Sequence, residues 1–194
     1  MSDITCDCTG EPTMNRWACK ATDFGFPNKM GLMHPDGEMT VAGEAPTLAE
    51  VQAAIADTGV NKMILIEDFT NGQRTEQSRL EESGADTPDG LTNVVSINMQ
   101  ITGKIKRLGP DTIDEILEVN CFPRLKMWFF TSTGHCFGGK TGYMISNFFT
   151  PLIMEGFGVA GYIPVNCVYQ HDLTKTDSVS QDDGFLTLKN PLTT

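Results

Sequence analysis

A chain of 194 residues is long enough for one domain with a substantial core, and 40% hydrophobic with 20% charged residues marks it as folded rather than disordered. Acidic residues outnumber basic ones 25 to 14; a net charge of −11 repels nucleic-acid phosphates and anionic lipid and argues against sequence-independent DNA or RNA binding. No stretch approaches the roughly 20 apolar residues of a membrane-spanning helix, and "MSDITCDCTGEP" lacks the basic and apolar regions of a secretory signal. The expectation is therefore a protein without a membrane partner, whose six cysteines are reduced.

Residues 1–46 read as an extended arm, with turn signals at Pro27-Asn28 and Pro35-Asp36-Gly37 and no helical stripe. "PTLAEVQAAIADTG" predicts a short helix: Thr47 and Glu50 form a capping box, Leu48, Val51 and Ile55 share one face, and Gly59 follows as a stop. "NKMILIEDF" is an apolar run with the character of a buried strand. Residues 70–93 are polar and unpatterned, which predicts a long loop reaching a neighbouring subunit.

"VVSINMQITGKIKRL" alternates, with Ile97, Met99, Ile101, Gly103 and Ile105 on one face, and predicts a long half-buried antiparallel strand. "PDTIDEILEVN" predicts a second short helix capped at Asp111. "RLKMWFFTSTGHCFGG" reads as strand, turn, strand, reversing at Ser132-Thr133-Gly134, and further strands follow in "YMISNFFTPLIMEGFG" and "GYIPVNCVYQHDL". The fold class is mainly β (α+β): an antiparallel β-sandwich or barrel with two short helices, the long loop 70–93 and an N-terminal arm 1–46 ahead of a core domain 47–194.

One motif points to chemistry. Gly134, Gly139, Lys140 and Thr141 in "GHCFGGKT" complete the phosphate-loop pattern G-x-x-x-x-G-K-[ST], after an apolar run. A working phosphate loop turns a strand into a helix whose first amides hold the phosphates. The residues that follow, "GYMISNFFTPLIM", favour strand or loop instead. The hairpin reading is preferred, and no cofactor is expected.

Cys6, Cys8 and Cys19, with His34 as a distant fourth ligand, lack the C-x-x-C spacing of a structural zinc site, so no metal is expected either. Cys121, Cys136 and Cys167 lie in or beside strands and read as buried apolar residues. A nucleophile pair of Cys136 with His171, oriented by Asp172, has no sequence feature that brings its members together. No enzymatic activity is expected.

In order and pattern the chain resembles virion structural proteins of tailed phages infecting Bacteroidetes-type hosts. The resemblance is carried over residues 60–175 by "NKMILIEDF", the arm leading into "VVSINMQITGKIKRL", "TIDEILEVN", "FPRLKMWFFTSTGHCFGG" and "EGFGVAGYIPVNCVYQHD", with the leader "CDC" upstream. Those proteins carry a D-x-x-G-x-x-x-G hairpin; Gly134 and Gly138 match its glycines, while Thr131 or Ser132 stands where an Asp is common. The layout is most similar to a tail tube subunit. That resemblance implies localisation in the virion, rings made from copies of itself, contacts with other virion proteins, and passage of DNA without specific binding. The alternatives are a capsid-associated or head–tail joining protein, and a nucleotide-binding protein using Lys140 and Thr141.

Overall fold

The computed structural model describes residues 25–82, 93–106, 122–146, 153, 161–171 and 178–189. Among them are nine strands and one α-helix: β1 (Pro27–Met33), α1 (Leu48–Ala56), β2 (Ile64–Ile66), β3 (Phe69–Glu82), β4 (Asn93–Ile105), β5 (Arg124–Thr131), β6 (His135–Phe137), β7 (Tyr143–Ser146), β8 (Ile163–His171) and β9 (Val179–Gln181). All pairings are antiparallel, in the order β2-β1-β5-β7-β8-β4-β3, with β6 and β9 forming a branch from β5. The sheet curls into a half-barrel, and the fold is mainly β.

The apolar run "LKMWFF" is continuous because β5 is buried on both faces. Its alternate residues belong to two separate cores. Met127 and Phe129 point into the half-barrel, in register with Leu32 and Met30 of β1 and through them with Ile64 and Ile66 of β2. Trp128 and Phe130 point outward, in a layer with Met33, Met63, Leu65, Val51, Ile55 and Phe185. Gly31 stands between Leu65 and Trp128 in this outer row, and a Cβ there would lie 2.6 Å from Met63 Sδ.

α1 covers that outer layer. The capping box forms as the sequence predicts: Thr47 Oγ1 accepts from the Glu50 amide at 3.4 Å, and Glu50 accepts from the Thr47 amide at 2.7 Å. The Ala42 amide also donates to Glu50 at 2.8 Å, and these hydrogen bonds hold the Glu50 carboxyl below its ordinary pKa. Val51, Ala54 and Ile55 are buried, while Leu48 is only partly so. The second predicted helix, at residues 110–120, lies outside the described residues.

A C-terminal strap completes the outer layer. β9 pairs with β6, a 3-10 turn over Asp183–Thr187 follows, and Phe185 packs on Phe130 with ring centroids 5.5 Å apart. Lys29 of β1, only 8% exposed, donates to the carbonyls of Phe185 at 3.0 Å and Leu186 at 2.6 Å. Burial lowers its pKa from the ordinary lysine value.

Two expectations are corrected here. Residues 70–93 are not a long loop: Phe69–Glu82 is a strand paired with β4, and only residues 83–92 between them lie outside the described residues. Alternation is missing from β3 because its inward positions carry Gly72, which leaves room for the Pro27 carbonyl, and Arg74. The segment assigned to an N-terminal arm also contains β1, a strand between β2 and β5. Residues 1–24 lie outside the described residues.

Two outcomes are expected. Phe69 fills the half-barrel over Gly103, so Phe69→Ala should cost about 3–5 kcal/mol in urea denaturation. Because Lys29 sheds its proton at lower pH when folded than when unfolded, the unfolded chain binds more protons in that window. Stability of the wild type relative to Lys29→Met should therefore rise as pH climbs from the lowered pKa towards 10.5. A flat difference would show that Lys29 keeps an ordinary affinity for its proton.

Candidate functional site

The half-barrel interior is lined by a ladder of rings from four strands. Phe137 stacks on Phe129 at 4.7 Å, Phe129 on Tyr143 at 5.9 Å, and Tyr143 on Tyr169 at 4.2 Å. Cross-strand register sets this up: Phe129 is opposite Phe137 in the β5–β6 ladder and Met127 opposite Tyr143 in the β5–β7 ladder. Arg74 enters from β3, which pairs with β4 and not with any of these strands. Its Nε–H donates to Tyr169 Oη at 2.6 Å. Its guanidinium carbon lies 5.6, 5.7 and 5.8 Å from the ring centres of Phe137, Phe129 and Tyr169. Each such cation–ring contact is worth about 0.5–2 kcal/mol, depending on how far it is desolvated.

Beside this basket opens a cavity of about 240 Å³, lined by Gly25, Pro27, Arg74, Phe129, Thr131, Phe137 and Val179. A cation on an apolar, aromatic wall suits a group that combines a carboxylate with an apolar body. Arg74 was hidden in the sequence by the polar stretch around it. A five-residue spacing from Phe69, across the register shift between Thr70 and Gln73, is the faint signal that both face inward.

The phosphate-loop pattern is divided between two turns. Gly134 closes the β5–β6 turn, its amide donating to the Thr131 carbonyl at 3.1 Å, and its φ of 77° is left-handed. Gly139, Lys140 and Thr141 belong to the β6–β7 connection, and β7 follows where a phosphate loop has its helix. The glycines here serve Trp128. Gly138 and Gly142 have positive φ, and a Cβ on either would approach the indole to 2.6 or 2.9 Å, while the Gly139 carbonyl accepts from Trp128 Nε1 at 2.8 Å. Lys140 and Thr141 are exposed, at the rim of a 120 Å³ hollow shared with Lys126, whose ammonium donates to the Gly37 carbonyl at 2.7 Å.

Cys6, Cys8, Cys19, Cys121 and Asp172 lie outside the described residues. Among the described residues no three His, Cys, Asp or Glu side chains gather as metal ligands. His34 stands edge-on to Phe122 and its Nδ1 accepts from the Asp36 amide at 3.1 Å. Cys136 and its neighbour His135 point to opposite faces, as strand alternation requires, and His135 Nδ1 is 3.0 Å from Thr133 Oγ1. Cys136 faces the outer layer and Cys167 the half-barrel interior, whereas His171 ends β8. The sheet does not bring the supposed nucleophile pair together.

Burial pushes the Cys136 thiol up to about 12 and raises Cys167 as well. Both should resist a thiol reagent at mildly alkaline pH until the protein unfolds, as read by mass mapping of modified cysteines. Rapid modification of Cys136 in the native protein would mean that the C-terminal strap is not seated.

No family model matches the chain. No curated protein matches it. Among solved structures, the chain is similar to one from the tail of an empty gene transfer agent particle refined with C6 symmetry. The identity is 8% and the TM-score 0.38, and the match covers 62% of this chain and 87% of that one. Similarity of that degree fixes neither family nor function.

Proposed function

We propose that this chain is a structural subunit of a tailed-phage virion, most like a tail tube subunit, that assembles with copies of itself and performs no catalysis. The observation that carries this reading is the outer edge of β3. Among the described strands β3 pairs only with β4, and past Gly72, where it lies against the Pro27 carbonyl of β1, it runs on to Glu82, about 33 Å of extended chain. An edge of that length is a template for another strand. Residues 75–80 are exposed along it, and Leu80, at 60%, is the most exposed of the large hydrophobic side chains among the described residues.

Pairing of β3 with β4 extends as far as Glu82 opposite Asn93. A long two-stranded edge of this kind is suited to contact with a neighbour, which keeps the intersubunit role the sequence reading gave residues 70–93 while changing its form. The likeness of the sequence to tail tube subunits supports the ring arrangement. The net charge of −11 supports a surface past which DNA moves without adhering.

Gln77 is skipped at a bulge in the β3–β4 register, a position in a strand that tolerates proline, and proline there disturbs pairing on the other edge. Gln77→Pro should give a protein with wild-type circular dichroism that no longer forms rings or tubes in negative-stain micrographs. Lys140→Ala should assemble as the wild type does, with or without nucleotide. Assemblies that persist in Gln77→Pro, or a wild type that stays monomeric at every concentration, would sink the proposal.

A further inference from the structure

The outward side of the sheet is covered unevenly. α1 and the C-terminal strap lie over Met33, Met63, Leu65, Trp128 and Phe130, the outward residues around β1, β2 and β5. The described residues put no such layer over β7, β8, β4 and β3, where Met144, Asn166, Gln170 and Thr75 are exposed. Alternation identifies this face: Ile145, Cys167, Tyr169 and Ile101 point into the half-barrel, so their strand neighbours point out. In register, Gln73, Thr75 and Ser78 of β3 stand opposite Thr102, Gln100 and Asn98 of β4. The face is tied together by its own side chains. Asn98 Nδ2 donates to Ser78 Oγ at 3.0 Å, and Gln100 Nε2 donates to Asn166 Oδ1 at 2.7 Å.

An antiparallel sheet commonly shows one side to water, and what sets this one apart is its charge. The chain has 25 acidic residues. Yet from Gln73 to Ser78, Asn98 to Lys104, Tyr143 to Ser146 and Pro164 to Gln170 no outward position holds one, Glu76 belonging to the inward set opposite Met99. The charges present are cationic. Lys104 Nζ stands 4.0 Å from the centre of the Tyr162 ring. Arg124 of β5, opposite Ser146 at the corner of the face, is exposed, and its guanidinium has no partner among the described residues.

The opposite charge stands on the covering layer. Glu44, Asp57, Asp182 and Asp183 are exposed beside α1 and on the strap, and none makes an ion pair among the described residues. Asp57 and Asp182 accept from the backbone amides of Thr58 and Gly184. The described strap sets one cation, Lys189, against them. Unpaired charges of opposite sign on two regions of one subunit complement each other between copies. Because the two regions differ, the contact is head-to-tail, the kind that closes rings or runs on as a filament. We infer that the open face of β7, β8, β4 and β3, with Arg124 at its corner, is where a second copy docks its acidic α1-and-strap layer. The inference rests on the proposed assembly and names the surfaces that meet in it. A face without carboxylates lets copies with a net charge of −11 approach there with least repulsion.

Isosteric acids placed on the full chain test it. Asn166→Asp keeps the oxygen that accepts from Gln100, so Asn166→Asp with Gln170→Glu should retain the wild-type circular dichroism. That pair, and Arg124→Glu separately, should need about tenfold more protein to assemble in sedimentation, the scale of exposed ion contacts turned unfavourable. Added salt should narrow the gap. Gln52→Glu with Gln181→Glu adds the same charge to the acidic layer and should not raise the concentration needed. Asp57→Lys with Asp183→Lys, added to Arg124→Glu, should recover assembly. If the isosteric pair does not fold, Arg124→Glu and its recovery decide the matter. Equal effects of the two isosteric pairs would reduce the result to net charge and overturn the inference. Assembly at wild-type concentrations in Arg124→Glu and in the Asn166–Gln170 pair would also overturn it while the assembly reading stands, whereas a wild type that never assembles removes both. Retardation of short duplex DNA by the wild type at low salt, abolished in Arg124→Glu while assembly persists, would give the face to a nucleic acid instead.

Discussion

The whole molecule is organised around burial of β5 on both faces. A strand buried that way must carry apolar residues at successive positions and be covered twice. Leu125, Met127 and Phe129 are covered by the curl of the sheet, and Trp128 and Phe130 by α1 and the C-terminal strap. Everything else follows as a device for one cover or the other. The glycines of the β6–β7 connection let backbone lie on the Trp128 indole, Gly31 gives Met63 its place, and Lys29 ties the strap down by two carbonyls. Loss of either cover would leave large apolar side chains facing water, so the two layers should behave as one cooperative unit.

The inner cover has a different problem, because a half-barrel does not close its own hydrogen-bond ladder. β3 comes near β1 closely enough that Gly72 tolerates no side chain against the Pro27 carbonyl, yet the two strands are not in one ladder. Arg74 bridges the gap by reaching from β3 to Tyr169 on β8 and to the rings of β5 and β6. A long amphipathic side chain does this well: its stem covers apolar surface and its planar head stacks on rings. The same unclosed geometry leaves the outer edge of β3 unpaired among the described strands, which links the curl of the sheet to the proposed assembly.

Parts of this were plain in the residues. The capping box at Thr47 and Glu50, the antiparallel strand with Ile101 and Ile105 inward, the reversal at Ser132-Thr133-Gly134 and the burial of Cys136 and Cys167 are all local patterns. Each depends on neighbours within a few residues, or on alternation along one strand. β1 and β3 were not legible for a physical reason. β1 mixes Lys29 and Gly31 into an apolar strand because the partners that justify them come from the strap and from Met63. β3 has no apolar alternation because its inner face meets a backbone and a set of rings. The phosphate-loop pattern shows the converse: Gly138 and Gly142, within and beside it, lie against Trp128 several residues upstream, and the carbonyl of its Gly139 accepts from that indole.

The sequence by itself determined a mainly β fold with a capped helix, an acidic surface and buried thiols, because propensity, alternation, charge and capping act over short spans of chain. Only the tertiary structure decided which strands join the sheet, which glycines lie against an indole, and that Arg74 stands among rings from three distant strands. Those features depend on contacts between residues as far apart as Arg74 and Tyr169, or Lys29 and Phe185. Such contacts leave no periodic trace in either segment, since each partner is selected by the shape and charge of the other only once the sheet has curled.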